Sequence, residues 1–330
     1  MEQLTGIFKN FLAAILVIAS LPSLTWASNI LVDDNNKIYS YYVPATIPAT
    51  GTVFSSSGGS QVTGMAVTYS DTAIPTSPFE VLVAAGTSVY AYSSVAAQST
   101  FIAGVNPVGL AVDSYGNVYT AVGGTTIDEF APTGGSTPAK TIATAPNGYQ
   151  VDSILADGAG DLYVAEENIN NSSINSITEY LVSGATRSIA QDLSGDNLAG
   201  MAFDGSGNLF VTYQNINSNP DGTFSGGIFE ITPGGQQSTF YSSTSIDPTS
   251  LGFDYAGDLY LLFINSALGN TGGIDVFTSQ APGTQPGSFA TGLYQPAGFV
   301  QLAPEPGTTM LLTGGLIGLV VLQRSRRSRA

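Results

Sequence analysis

The stretch NPVGLAVDSYGNVYTA, residues 106–121, decides the fold. Two short apolar runs, 107–112 and 118–122, flank the turn Asp113-Ser114-Tyr115-Gly116. Neither run has the length or the 3.6-residue period of a helix, so both read as buried strands. Asp-x-x-Gly between them fits a type I turn closed by a left-handed glycine. The aspartate accepts backbone amides within such a turn, and glycine tolerates the positive φ there.

The first half of this phrase recurs six times, as QVTGMAVT from Gln61, NPVGLAVD from Asn106, QVDSILAD from Gln150, NLAGMAFD from Asn197, DPTSLGFD from Asp247 and QPAGFVQL from Gln295. The spacing of 44 to 50 residues points to a solenoid or a propeller. The fourth residue is always small (Gly64, Gly109, Ser153, Gly200, Ser250, Gly298) and the fifth large and apolar (Met65, Leu110, Ile154, Met201, Leu251, Phe299). Small residues suit innermost strands converging on a narrow axis, and large ones suit faces that stack. The turn recurs at Asp157, Asp204 and Asp254, each with glycine three residues on. Two further strand-like runs follow each hairpin, such as 126–131 with 139–144 and 227–232 with 237–242. Four strands per unit make a propeller blade.

The ends complete the count. Residues 29–32 align with 117–120, a second strand lacking its first, and 37–43 and 52–57 supply strands three and four. Residues 296–302 are a first strand with no hairpin after it. The sequence therefore predicts an all-β, six-bladed propeller closed by pairing of its last strand with the N-terminal partial blade. Closure of this kind protects sheet edges without disulfides. The insertion at 71–77 replaces the Asp-x-x-Gly turn with a longer loop.

Composition narrows the chemistry. The chain has no cysteine and no histidine, which excludes Ser-His-Asp and Cys-His catalysis and argues against zinc, haem and iron–sulfur sites. Its 24 acids and eight bases give a net charge of −16. Only Lys37, Lys140 and Arg187 among the bases fall between residues 28 and 303, so that segment alone carries about −19. So acidic a body repels nucleic acid and anionic lipid. Its charged partners are divalent cations, basic proteins or cationic sugars.

Both termini carry targeting patterns. Residues 1–27 read as a signal peptide: Lys9, an apolar segment over 11–18, and Thr25-Trp26-Ala27 as the cleavage site. At the other end stand Pro304-Glu305-Pro306, an uncharged apolar run over 308–322, and Arg324, Arg326, Arg327 and Arg329. Proline holds the triplet extended for an enzyme cleft. The apolar run, read as a short membrane helix, suits a temporary anchor, and the arginines hold its end on the cytoplasmic side. This tail resembles the PEP-CTERM sorting signal of Gram-negative bacteria. The resemblance implies processing by an exosortase, transient attachment to the inner membrane, then release to the cell surface or beyond. The chain thus divides into a signal peptide (1–27), a propeller (28–303) and a sorting tail (304–330).

Within the propeller, the residue opening each inner segment is polar: Gln61, Asn106, Gln150, Asn197, Asp247 and Gln295. These six would ring one mouth of the channel. Amides offer donors and acceptors for sugar hydroxyls or for a hard cation; equally, they can bond neighbouring backbones and hold water. Asp152 lies two positions beyond Gln150. The turn aspartates read as structural, and Asp33-Asp34-Asn35-Asn36 as a solvated loop lacking the glycine and glutamate of an EF-hand loop. Asn170-Asn171-Ser172 has the form of a glycosylation sequon.

The phrase over 109–119 resembles those of NHL-like and gluconolactonase/regucalcin-like propellers. That resemblance implies a calcium ion held by a glutamate, two asparagines and an aspartate. Asn106, Asn197 and Asp247 could supply three, but no inner segment contains a glutamate. The tail's family is associated with exopolysaccharide and biofilm. The reading carried forward is a non-enzymatic binding or scaffold protein for exopolysaccharide or another exported protein. The alternative is a calcium-dependent lactonase of the gluconolactonase type.

Overall fold

The computed structural model describes residues 28–34, 37–43, 49, 51–56, 61–69, 79–93, 98–171, 174–193, 197–215, 225–254, 256–265, 269–278 and 285–302. The signal peptide, the 71–77 insertion and the sorting tail, with their two expected helices, lie outside these residues, as do Asn35, Asn36 and Ser172. Among the described residues, no helix is long and apolar enough to cross a membrane.

Among the described residues, twenty-four strands form six four-stranded antiparallel sheets. Blades one to five occupy 62–103, 107–144, 149–193, 197–243 and 247–294. Blade six joins Pro296–Leu302 to Ser28–Asp34, Lys37–Val43 and Thr52–Ser56, in that order. Its closing register sets Leu31 opposite Val300 and Val32 opposite Phe299. The inner strands are Val62–Tyr69, Pro107–Val112, Tyr149–Ala156, Asn197–Phe203, Asp247–Phe253 and Pro296–Leu302. Each packs against the next, and the last returns to the first, so the ring is sealed.

The alternation of the strands explains the stacking. Successive side chains of a strand point to opposite faces. In Ser28–Asp34, Ile30 and Val32 enter the cluster shared with blade five, while Leu31 enters the cluster shared with blade one. Four further clusters fill the remaining clefts, giving one apolar core per blade boundary. Burying each such aliphatic side chain contributes roughly 1.5–3 kcal/mol.

The small-then-large pair has the expected cause. A Cβ on Gly64 would lie 2.8 Å from the backbone nitrogen of Leu110, one on Gly200 would lie 2.9 Å from Cα of Ser250, and one on Gly298 would meet Sδ of Met65. The waist of the ring thus has no room for a side chain at these positions. Met65, Leu110, Ile154, Met201 and Leu251 are buried beside it.

The Asp-x-x-Gly turns form as read. Asp113 Oδ1 accepts the amides of Tyr115 and Asn117, both at 2.9 Å, and Oδ2 accepts Asn117 Nδ2 at 2.9 Å and the Tyr119 hydroxyl at 3.0 Å. Asp157, Asp204 and Asp254 repeat the backbone pair. Gly116, Gly160, Gly207 and Gly257 take φ between 83° and 89°.

One expectation is corrected. Asp33 and Asp34 are not loop residues: Asp33 pairs with Ile38 and Asp34 with Lys37, so the strand runs through both. Asp33 is 1% exposed, and Asp34 Oδ1 accepts the amide of Tyr294.

Candidate functional site

Every inner strand has a break in register near its start, at the third residue of the repeated segment in blades one, three, four and five and just after it in blade two, where Val108 still pairs with Ala121. The ladder jumps from Val62 to Gly64, Val108 to Ala111, Val151 to Ser153, Leu198 to Met201 and Pro248 to Ser250. In blade six the shift falls between Val32 and Asp34, opposite 296–299. A bulge leaves its extra residue unpaired and re-aims the side chain. The third residues are Thr63, Val108, Asp152, Ala199, Thr249 and Ala297, and all six line one cavity of about 310 Å³ at the channel mouth.

The same cavity is lined by Gln61, Asn197 and Gln295 from the first-residue ring, and by Asp33 and Gln214. Asn106, Gln150 and Asp247 are not on its lining. Asn106 and Gln150 are exposed, and Gln150 Nε2 donates to Glu167 Oε2 at 3.0 Å. Asn106 and Gln295 adopt left-handed φ of 44° and 54°, which is uncommon for non-glycine residues. Asp247 Oδ1 is buried without a hydrogen-bond partner, and burial pushes its carboxyl up to about 6.

The bulge residues also fasten blade to blade. Thr63 Oγ1 donates to the carbonyl of Pro107 at 2.7 Å, and Thr249 Oγ1 to that of Pro296 at 2.5 Å. Gln214 Nε2 donates to the carbonyl of Pro248 at 2.6 Å. Proline offers no amide, so each of these links must donate to a carbonyl. At the boundary of blades three and four the second residue is Leu198, which has an amide, and Asp152 accepts from it.

That link uses one carboxylate oxygen. Asp152 Oδ2 is buried and has no hydrogen-bond partner. Burial above all, then the neighbouring Glu167 carboxylate, push the Asp152 carboxyl up to about 8, against the pull of the Leu198 amide. A buried carboxyl in this state is the kind of perturbed group that marks functional clefts. Most other buried acids are taken up: Glu179 by Tyr163 and Arg187, both at 2.5 Å, Glu166 by Thr178 and Tyr180, and Asp128 by Thr141.

Below the mouth runs a channel of about 800 Å³, sharing Thr63, Ala199 and Ala297 with the mouth cavity. Its wall is mainly the small and apolar residues of the inner strands. The mouth is therefore the polar end of a largely apolar shaft.

The calcium ligands implied by the family resemblance are not assembled on this cavity. Asn197 lines it; Asn106 and Asp247 do not. Among the described residues, no three carboxylate, histidine or cysteine groups converge to hold a metal ion. Asp33 and Asp152 are the acids that line the cavity. Three residues of the first-residue pattern reach this cavity, and the third residue is the position that pattern passed over. The isolated aspartate in QVDSI, among Thr, Val and Ala at the same position, was the available signal.

No family model matches the chain, and no curated protein matches it. Solved structures do. A streptogramin B lyase is 13% identical with a TM-score of 0.51, covering 84% of this chain and 88% of its own. The virginiamycin B lyase of Staphylococcus aureus is 15% identical with a TM-score of 0.51, covering 84% and 89%. A gluconolactonase of Xanthomonas campestris is 14% identical with a TM-score of 0.50, covering 66% and 74%. At such identities the likeness establishes the propeller architecture, and function rests on the site.

Proposed function

We propose that the propeller binds a small polyhydroxylated ligand at its channel mouth. The observation that carries this reading is the mouth cavity, where amides and carboxyl groups from several blades face one space of about 310 Å³. That volume suits a sugar-sized ligand. Gln61 and Gln295 carry both a donor and an acceptor, the pairing that hydroxyl groups require, while Gln214 and Asn197 are linked to each other and Gln214 to the Pro248 carbonyl.

In the main reading the ligand is held without turnover. The chain is then an exported surface or matrix protein that engages exopolysaccharide or another exported protein. Support comes from the sequence: the signal-like start, Pro304-Glu305-Pro306 and the arginine-ended tail. Glycan-array and matrix pull-down binding without product formation is the expected result. Deleting residues 304–306 should leave unprocessed protein in the inner membrane, and normal release of that variant would sink the sorting part.

The second reading is hydrolysis of a lactone. The likeness to the Xanthomonas gluconolactonase supports it better than it supports a purely adhesive role. Asp152, on the cavity lining, has a carboxyl that burial raises to about 8 and so is suited to acid–base work. Assay of lactones with and without calcium separates the two. Turnover that is lost in Asp152→Asn or Asp247→Ala would put hydrolysis first.

A further inference from the structure

Asp152 is chemically singular in its ring. The other third residues are Thr63, Val108, Ala199, Thr249 and Ala297, none of them ionisable. The structural duty at this position, accepting the Leu198 amide, needs one neutral acceptor, which asparagine would supply without the cost of a buried charge. The second oxygen is buried and unpartnered, on a side chain that belongs to the cavity lining. Ordinary blade architecture leaves it unexplained.

The surroundings fix the sign of what could meet it. Glu167, on the adjacent strand Leu162–Asn168, acts on Asp152 with like charge. Glu166 of the same strand is turned onto Thr178 and Tyr180. The strands packed on either side, Pro107–Val112 and Asn197–Phe203, contain no ionisable residue. Across the cavity lies Asp33, whose charge, after burial, helps push the Tyr92 hydroxyl up to about 12. None of Lys37, Lys140 and Arg187 lines the cavity, and Arg187 is paired with Glu179. An anionic sugar would enter against this field, while a cation would be drawn in.

The type of cation follows from the donor count. A hard metal ion seeks six or more oxygens and several carboxylates. An ammonium carries three donors and is satisfied by one carboxylate and two neutral acceptors. The cavity is lined by Asp152 and by the amide side chains of Gln61, Asn197 and Gln295. We propose that the channel mouth selects a sugar bearing a free amine, with its ammonium seated against Asp152 Oδ2. This rests on the polyhydroxyl-ligand reading and specifies its charge. On binding, Asp152 gives its proton to solvent, so carboxylate and ammonium meet as an ion pair.

The test is calorimetric titration of the purified full-length protein, with chelator present, at pH 7. Three probes are compared: a β-1,4 tetramer of glucosamine, its fully N-acetylated form and a glucose tetramer. The amine form should bind at least about tenfold tighter than either neutral form, a difference of about 1.4 kcal/mol. Repeating the titration in buffers of different ionisation heat should reveal release of about one proton. Asp152→Asn keeps an acceptor for Leu198, and it should abolish both the preference for the amine form over the neutral forms and the proton release. Glu167→Gln leaves the Leu198 link intact and should reduce the preference about threefold through the weakened field. Equal binding of all three probes overturns the amine assignment and leaves the polyhydroxyl reading standing. Amine-selective binding that needs calcium, or that persists in Asp152→Asn with its proton release, overturns the assignment too. Failure of all three probes to bind sinks the parent reading with it.

Discussion

The two ends of the central channel use aspartate in opposite ways. At the turn end, Asp113, Asp157, Asp204 and Asp254 sit at equivalent positions and engage neighbouring backbone amides alike. At the mouth end, Asp152 stands alone among Thr, Val and Ala, one oxygen linked to Leu198 and the other unmet. A carboxylate that recurs at the same turn in four blades is part of the scaffold. One that appears once, at a position where its neighbours manage without charge, has work that the scaffold does not explain.

Both ends depend on the waist that holds them, and the largest effect is expected there. Gly64→Val places a side chain against the Leu110 backbone, a clash with no flexible partner to yield. A loss of about 3 kcal/mol, read from urea unfolding, is the expectation. A near-neutral Gly64→Val would mean that the inner strands are farther apart than described, and the contrast between the two ends would lose its geometry.

Next comes the turn end itself. Asp113→Ala removes the acceptor for two backbone amides, Asn117 and the Tyr119 hydroxyl. Hydrogen bonds to charged groups contribute about 1.5–3 kcal/mol each, and solvent will replace part of the set, so a net loss of about 2 kcal/mol is expected. Ligand binding at the mouth should not change. Altered binding would erase the division of labour.

The mouth end should respond to pH instead. The folded carboxyl of Asp152 lies near 8, against 3.8 for the free side chain. A raised acid pKa favours folding while the group is protonated, so its contribution is complete below about pH 4 and is lost as pH rises through 8. Asp247 and Asp275, both raised to about 6 by burial, slope in the same direction but finish earlier. The interval from pH 6 to 8 therefore isolates Asp152. Asp152→Asn should flatten the stability profile there, and an unchanged slope would show that the carboxyl is ionised in the apo protein. The smallest effect belongs to the neutral links: Thr249→Val, which loses the bond to the Pro296 carbonyl, should cost about 1 kcal/mol with little pH dependence.

Much of this was legible in residue order. The small-then-large pair at Gly64-Met65 and its five counterparts gave the inner strands, and the two partial ends, 29–32 and 296–302, gave the closure that the Leu31–Val300 register displays. The outer strands were located to within a residue or two; 225–231 in place of 227–232 is the widest shift. The site was less legible. Gln61, Asn197 and Gln295 reach the mouth cavity from the first-residue ring, yet the complete ring around it is the third residue of each inner strand. Asp33 looked like a loop acid because it stands among polar residues at a hairpin, and only the structure shows it paired with Ile38 and buried.

What the sequence determined alone is whatever repeats: strand, turn, blade and blade number, because each is fixed by local sterics and by a period that six copies restate. What only the tertiary structure decided is where single residues point. A bulge shifts register without altering the apolar pattern, so the sequence singles out Asp152 by its residue type but not its direction: it faces the axis, with one oxygen held by Leu198 of the next blade and the other left without a partner.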